Sequence, residues 1–245
     1  MIRFLLVIIF VVLFLIVSIP IQLVLLLIGK FNEPAARNAS LRIVSWAFNV
    51  VSFLSGIKKT VIGEENVPKD EAVLYVGNHR SYFDIVVTYP RVPRRTGYIS
   101  KKEIKKVPVL GIWMVFLDCL FLDRSDIRNG LEMVLAAIDK VKNGVSITIY
   151  PEGTRNKTAE PLLDFHKGSF KIAQKSGCAI VPVVVNHTRD IFENHIPFIR
   201  STKIVIEYCK PIYMKDLSKE DQKNIDDYVK EIIEETYIKN EAMSL

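Results

Sequence analysis

From Phe4 to Ile28 the chain runs for 25 residues without one charged side chain. As a helix that run would reach ~37 Å, longer than the ~30 Å hydrocarbon core of a bilayer. It is too long for the apolar part of a signal peptide, and no small-residue cleavage site follows it. A second apolar stretch, Leu41 to Ile57, carries Ile43, Val44, Trp46, Phe48, Val50, Val51, Phe53 and Leu54 among Ser and Asn residues. Trp46 is a typical membrane-interface side chain. The polar link Lys30–Ser40 lets the two stretches fold back on each other, so the pattern admits a true span and a helical hairpin embedded from one side. Pro20 interrupts the first stretch and the second offers it a partner, which favours the hairpin. Arg3 precedes the first stretch, whereas Lys30, Arg37, Arg42, Lys58 and Lys59 follow it. That asymmetry puts the rest of the chain on the cytoplasmic side of the cell membrane.

From Lys58 onward the pattern changes to short apolar runs alternating with helical periodicity. Strands are expected at Thr60–Ile62, Ala72–Val76, Gly97–Ser100, Leu120–Leu122, Ser146–Tyr150, Ile180–Val185 and Lys203–Glu207. Most are near-continuous apolar runs, as in a sheet covered on both faces. Leu131, Val134, Leu135, Ile138 and Val141 recur at helical spacing within Ile127–Asn143, and Gly144 stops that helix. Ser218 followed by Asp221 opens a last helix like a capping box, with Ile225, Tyr228, Val229, Ile232, Ile233 and Tyr237 on its apolar face. The expected architecture is therefore α/β. A single domain, residues 58–245, holds a mostly apolar central sheet flanked by helices, and residues 1–57 precede it as a membrane-embedded helical segment.

Charge and composition narrow the chemistry. Lys and Arg outnumber Asp and Glu by 33 to 27, a net charge of +6 that favours anionic partners. No zinc-finger spacing or RNA-binding aromatic signature is present, so nucleic acid is not an expected partner; the apolar N-terminus points to lipid instead. Cys119, Cys178 and Cys209 are odd in number and lie in apolar surroundings, which suits reduced thiols. The four histidines show no metal-ligand spacing, and no metal is expected.

The sharpest local signal is Gly77-Asn78-His79-Arg80-Ser81-Tyr82-Phe83-Asp84, directly after an expected strand. It should sit at a strand's C-terminal edge, where α/β proteins place ligands. If a helix starts just after His79, Asp84 lies one turn in and faces back toward the ring. A carboxylate on one imidazole nitrogen sets the tautomer and raises the basicity of the other, which suits removal of a proton from an alcohol. A structural His-Asp pair would have the same spacing. A second element, Tyr150-Pro151-Glu152-Gly153-Thr154-Arg155, again follows an apolar strand. Its backbone N–H groups, hydroxyl and guanidinium suit a phosphate. A basic cluster, Arg91, Arg94, Arg95, Lys101, Lys102, Lys105 and Lys106, follows the His-Asp element and suits lipid headgroups or an anionic substrate. The apolar run Val107–Phe116 fits core or the wall of an acyl channel. There is no Gly-x-Ser-x-Gly elbow, P-loop lysine or dinucleotide fingerprint, so the substrate's own hydroxyl is the expected nucleophile.

Together these elements resemble the glycerolipid acyltransferase family, specifically bacterial-type 1-acyl-sn-glycerol-3-phosphate acyltransferases. The likeness runs from about Lys58 to Tyr213, with four blocks in order. Asn78, His79 and Asp84 match Asn-His-x4-Asp. Lys101, Pro108, Gly111, Asp123 and Arg124 match the second block, with Ile104 where Leu is commoner. Phe-Pro-Glu-Gly-Thr-Arg appears with Tyr150 in place of Phe, and Ile180-Val181-Pro182-Val183 matches the fourth block. The resemblance implies His79 as general base with Asp84 orienting it. It implies Lys101, Arg124, Glu152, Gly153, Thr154 and Arg155 as the site for the acceptor's glycerol phosphate. The donor would be an acyl thioester on coenzyme A or on an acyl carrier protein, the candidate protein partner; no bound cofactor is implied. The product would be phosphatidate. The alternatives are another lysolipid acceptor, or a non-catalytic membrane protein that binds anionic lipid.

Overall fold

The computed structural model describes residues 1–123 and 126–244. The N-terminal apolar run forms α1 (Ile2–Phe31), which continues through Pro20. The proline removes one hydrogen bond, and the turns on either side of it are held by Ser18 and Gln22, whose side chains bond to atoms beyond α1. The expected polar link shrinks to Asn32 alone, because Lys30 and Phe31 still belong to α1 and α2 begins at once, as Glu33–Leu54. Three local features drive this early start. The Asn32 side chain accepts from the Ala35 N–H, Pro34 occupies the first turn, and Glu33 pairs with Arg37 one turn on at 2.6 Å.

The remaining chain alternates as its periodicity indicates: β1 (Lys58–Ile62), β2 (Leu74–Gly77), α3 (Phe83–Thr88), β3 (Thr96–Lys101), α4 (Leu110–Phe116), β4 (Leu120–Leu122), α5 (Ile127–Lys142) and β5 (Ser146–Ile149), then α6 (Lys171–Ser176), β6 (Ile180–Asn186), β7 (Lys203–Tyr208), α7 (Lys219–Lys223) and α8 (Ile225–Glu241). All seven expected strands are present, within two residues of their expected ends. The last helix is divided at Asn224, so the Ser218 cap opens the short α7, while the apolar face belongs to α8.

The strands form one sheet in the order β1-β7-β6-β2-β5-β3-β4, parallel except where β7 runs against β6. Strand alternation divides the core into two layers. Leu74, Val76, Ile147, Ile180 and Val184 face Ala137 and Val141 of α5, Ile172 of α6, and Ile225, Val229 and Ile233 of α8. Val73, Tyr75, Val181, Val183, Val185, Ile204 and Ile206 face Phe83 and Val87 of α3, with Val7 of α1 and Val51 of α2. The N-terminal pair is therefore a structural layer of the α/β fold as well as an apolar appendage, because it covers one face of the sheet.

Only one stripe of α1 packs inward, with Val7, Ser18, Gln22 and Leu25 buried. Leu5, Leu6, Ile9, Leu13, Ile16, Val17, Leu23 and Leu27 stay exposed. Phe4 stacks on Phe192 near one end of the helix, and Gln22 bonds to the Val109 carbonyl eighteen residues later, so α1 lies along the protein for ~27 Å at 1.5 Å per residue.

An ionic node ties this layer to the sheet. Asp118, buried and at φ +59°, receives Arg95 at 2.9 Å, Lys140 at 2.8 Å and Arg37 of α2 at 3.1 Å. Burial alone would raise its pKa. The hydrogen bonds from Arg95 and Lys140, with the Arg37 charge, outweigh burial and hold the carboxyl below its usual range. A depressed carboxylate pKa adds stability above the unfolded value near 3.9, and that stability is lost as the pH falls through the folded value. Asp118→Asn should therefore lower stability at pH 7 by about 2 kcal/mol, allowing for solvent at the cations. It should also flatten the acid limb of the stability curve. Thermal melts in detergent across pH 3–7 check both; an unchanged acid limb would contradict the node's role.

Candidate active site

The C-terminal ends of β2 and β5 lie side by side, because these strands pair in parallel from Leu74↔Ile147 to Val76↔Ile149. The loops leaving them therefore meet at one edge. Asn78 fixes the first loop. Its side-chain amide donates to the Val185 carbonyl and its oxygen accepts the Val185 N–H, both at 2.9 Å, so the side chain extends the bonding of β6. His79 is thereby placed at the rim with its ring 17% exposed, enough to meet a substrate.

The helix after this loop starts at Phe83, three residues beyond a start just after His79. Residues 79–82 instead wrap around the Asp84 carboxylate. Oδ2 lies 2.8 Å from His79 Nδ1 and also accepts the N–H groups of Arg80 and Ser81, each at 2.8 Å. Oδ1 accepts the hydroxyl of Thr188, just beyond β6. Asp84 is fully buried, and four donors from two separate segments compensate its charge. With Nδ1 occupied by Asp84, Nε2 is the nitrogen left to act as a base.

Glu152 holds the histidine from the second loop. Its Oε1 accepts the His79 N–H at 2.7 Å and its Oε2 the Leu163 N–H at 2.9 Å. Both oxygens face backbone inside the protein, and burial pushes the carboxyl above its usual value. Asn156 donates its N–H to the His79 carbonyl at 2.7 Å, so the 152–156 turn grips both sides of that residue. Gly153 sits at φ +67° in this turn, and a Cβ there would lie 2.9 Å from His166 Nε2, so both conformation and space call for glycine. Tyr150 lies under the His79 ring, centroids 4.2 Å apart and planes at 14°. Burial pushes its phenol far above the usual range, and its inner end borders a narrow cavity with Tyr75, Thr88, Tyr98 and Tyr208.

Arg155 stacks its guanidinium 3.7 Å over the Tyr82 ring and donates to the Tyr82 hydroxyl at 3.0 Å. Glu193 stands 3.7 Å from it and anchors the first loop by accepting from Ser81 Oγ and Tyr82 N, both at 2.7 Å. The arginine is thus poised at the rim while its plane is held. Thr154 is exposed in the same turn. Lys101, also exposed, ends β3 on the strand beside β5 and so shares the edge. Arg124 lies outside the described residues.

The structure thus brings His79, Asp84, Glu152 and Arg155 into one connected set, with Gly153 and Thr154 in the same turn. Thr188, Glu193 and Asn156 complete that set and were missed in the sequence. Thr188 and Glu193 are more than a hundred residues from their partners in the His79 loop and belong to no local pattern.

If Glu152 works by fixing the His79 backbone, Glu152→Gln should lower kcat roughly 10-fold or more, because the amide cannot accept two backbone N–H groups. KM for the acceptor should change far less. Steady-state kinetics separates the two, and a pure KM effect would instead make Glu152 a substrate contact.

Known proteins resemble the chain in sequence and in fold. Residues 58–186 match the family model described as Acyltransferase. The chain is 30% identical over 181 residues to a 1-acyl-sn-glycerol-3-phosphate acyltransferase of Borreliella burgdorferi, covering 74% of this chain and 72% of that protein. It is 32% identical over 175 residues to the Saccharomyces cerevisiae protein of the same name, covering 71% of this chain and 57% of that one. The crystal structure of the 1-acyl-sn-glycerophosphate acyltransferase PlsC from Thermotoga maritima superimposes with a TM-score of 0.78 at 25% identity, over 97% of both chains. By the family model and the Borreliella relative, the chain belongs to the acyltransferase family.

Proposed function

We propose that the chain transfers an acyl group from a thioester to the 2-hydroxyl of 1-acylglycerol-3-phosphate, forming phosphatidate for phospholipid synthesis. The observation that carries the reading is the 2.8 Å contact between His79 Nδ1 and a buried Asp84 carboxylate, beside a turn whose arginine faces the same rim. His79 Nε2 removes the proton from the acceptor hydroxyl as its oxygen forms a bond to the thioester carbonyl carbon. The tetrahedral intermediate then collapses, breaking the carbon–sulfur bond, and the proton on Nε2 passes to the departing thiolate. Asp84, at Nδ1, stabilises the imidazolium that forms. Backbone N–H groups of the two loops are the candidates for holding the oxyanion.

Arg155, Thr154 and Lys101 are the side chains we assign to the acceptor phosphate, with Arg124 as a further candidate on sequence grounds. Glu152 and Gly153 shape the turn that presents them. The reading needs no metal and no resident cofactor; coenzyme A or an acyl carrier protein brings the acyl group. The exposed apolar face of α1 suits attachment to a membrane. Because α1 is packed along its length against the protein, we read the N-terminal pair as lying in one leaflet, with the catalytic edge on the cytoplasmic side as the flanking charges indicate.

The test is the purified full chain with lysophosphatidate and each thioester donor, followed by lipid analysis. Phosphatidate should appear together with free thiol. Preferential turnover of a lysolipid with another headgroup would move the assignment to that acceptor, and lipid binding without thioester consumption would make the chain a non-catalytic lipid binder.

Two substitutions probe the roles. His79→Ala should lower kcat by roughly 10²–10⁴ with the melting profile retained; near-normal turnover would remove His79 as the base. Arg155→Ala should raise the acceptor KM much more than the donor KM, and Lys should rescue only in part, since it lacks the planar bidentate contact. Equal changes for both substrates would argue against a phosphate contact.

A further inference from the structure

The two polar side chains buried on α1, Ser18 and Gln22, bond to α4 and to the residue that opens it. They hold α4. Trp113 Nε1 donates to Ser18 Oγ at 3.0 Å, and Gln22 Nε2 donates to the Val109 carbonyl at 2.9 Å. Val109 opens α4 at φ +62°, a conformation that a β-branched residue rarely adopts, so the Gln22 bond anchors the tightest point of the turn. Phe14 stacks on Trp113 with centroids 5.9 Å apart. At the other end, Arg37 of α2 donates to the Val115 carbonyl at 2.7 Å, which caps α4 with a cation. The N-terminal pair thus grips the entry, middle and end of α4.

α4 and the turn before it leave apolar side chains uncovered. Val107, Leu110, Ile112 and Val115 are all exposed, beside a helix whose own outer face is apolar. Directly before them, Lys101, Lys102, Lys105 and Lys106 are exposed, with Glu103 the one acidic residue in the turn. Lys102 is paired with Asp123, whereas Lys105 lies over the Phe121 ring. Gly111 seats the helix on this turn, since a Cβ there would lie 2.1 Å from the Lys105 carbonyl. An exposed apolar helix immediately preceded by exposed lysines matches a bilayer whose surface is anionic: acyl chains take the apolar side and headgroup phosphates the cations.

We infer that α4 is a third membrane-inserted helix, and that Lys105 and Lys106 of the turn before it bind anionic headgroups so that docking responds to the charge of the bilayer. The occupant is the lipid surface itself. This inference concerns attachment and does not require the acyl-transfer reading to hold, because binding is measured without turnover.

The experiment uses the full chain with phosphatidylcholine vesicles and with vesicles containing added phosphatidylglycerol. Wild type should bind the anionic vesicles more tightly. Lys105→Glu with Lys106→Glu should weaken anionic-vesicle binding roughly 10-fold or more, leaving binding to neutral vesicles and turnover of detergent-dispersed substrate near wild type. In a variant lacking Cys119, Cys178 and Cys209, a fluorophore on Ile112→Cys should be quenched by brominated acyl chains, as should one on Leu23→Cys. Unchanged anionic-vesicle binding in the double variant overturns the role of the lysines. Quenching at position 23 but not 112 overturns insertion of α4. Cross-linking between copies through position 112, in place of quenching by lipid, would assign this face to a second chain and also overturn the proposal.

Discussion

A carboxylate with no exposure to water sets the shape of the site. Asp84 has to be satisfied by donors from the protein, and the donors nearest in sequence are the backbone N–H groups of Arg80 and Ser81. Meeting them curls the loop after β2 back over the start of α3, and that curl carries the His79 ring onto the same oxygen. The other oxygen is met by Thr188, so β6 must end where it does. One buried charge therefore links the loop, the helix start and a strand far away in sequence, and the orientation of the His79 ring follows from satisfying it.

The second loop acts on the backbone of His79 as much as on any substrate. Glu152 and Asn156 hold the N–H and carbonyl of His79, and Tyr150 supports the ring from below. If His79 is the base, as proposed, a residue fixed in this way loses little orientational freedom when the acceptor arrives, and pre-organisation of that kind lowers a reaction barrier without any new contact. The glutamate of the Pro-Glu-Gly-Thr-Arg turn is in this sense a positioning residue, while the arginine beside it presents charge outward.

Membrane attachment and the catalytic fold are one construction here. The same α1–α2 pair covers a face of the sheet, grips α4 and reaches Asp118 through Arg37. An apolar helix is useful in both roles because its two sides are buried in different media. The inward stripe meets protein, where Ser18 and Gln22 can find partners, and the outward side needs none. On the proposed reading, a substrate in the bilayer meets an edge whose position is set by that packing.

The sequence by itself determined the elements and the chemical candidates. Seven strands, the long apolar helix and the His79–Asp84 spacing are local facts, since strand and helix periodicities come from how each residue's own backbone places its side chain. The motif turns were legible for the same reason, as their residues are neighbours in the chain. Local pattern failed where a distant partner decided the outcome. Pro20 argued for an interruption, yet the bonds of Ser18 and Gln22 to α4 hold both flanking turns. Glu152 looked like a substrate ligand, yet both of its oxygens turn inward to backbone N–H groups. Thr188 and Glu193 carried no signal at all, because a hydroxyl or carboxylate at a loop joins the site only when the strand order places it beside the His79 loop. Tertiary structure decided which polar groups face each other across the sheet edge. Buried charge and hydrogen-bonding capacity must be satisfied in space, and spacing along the chain does not encode that partner choice.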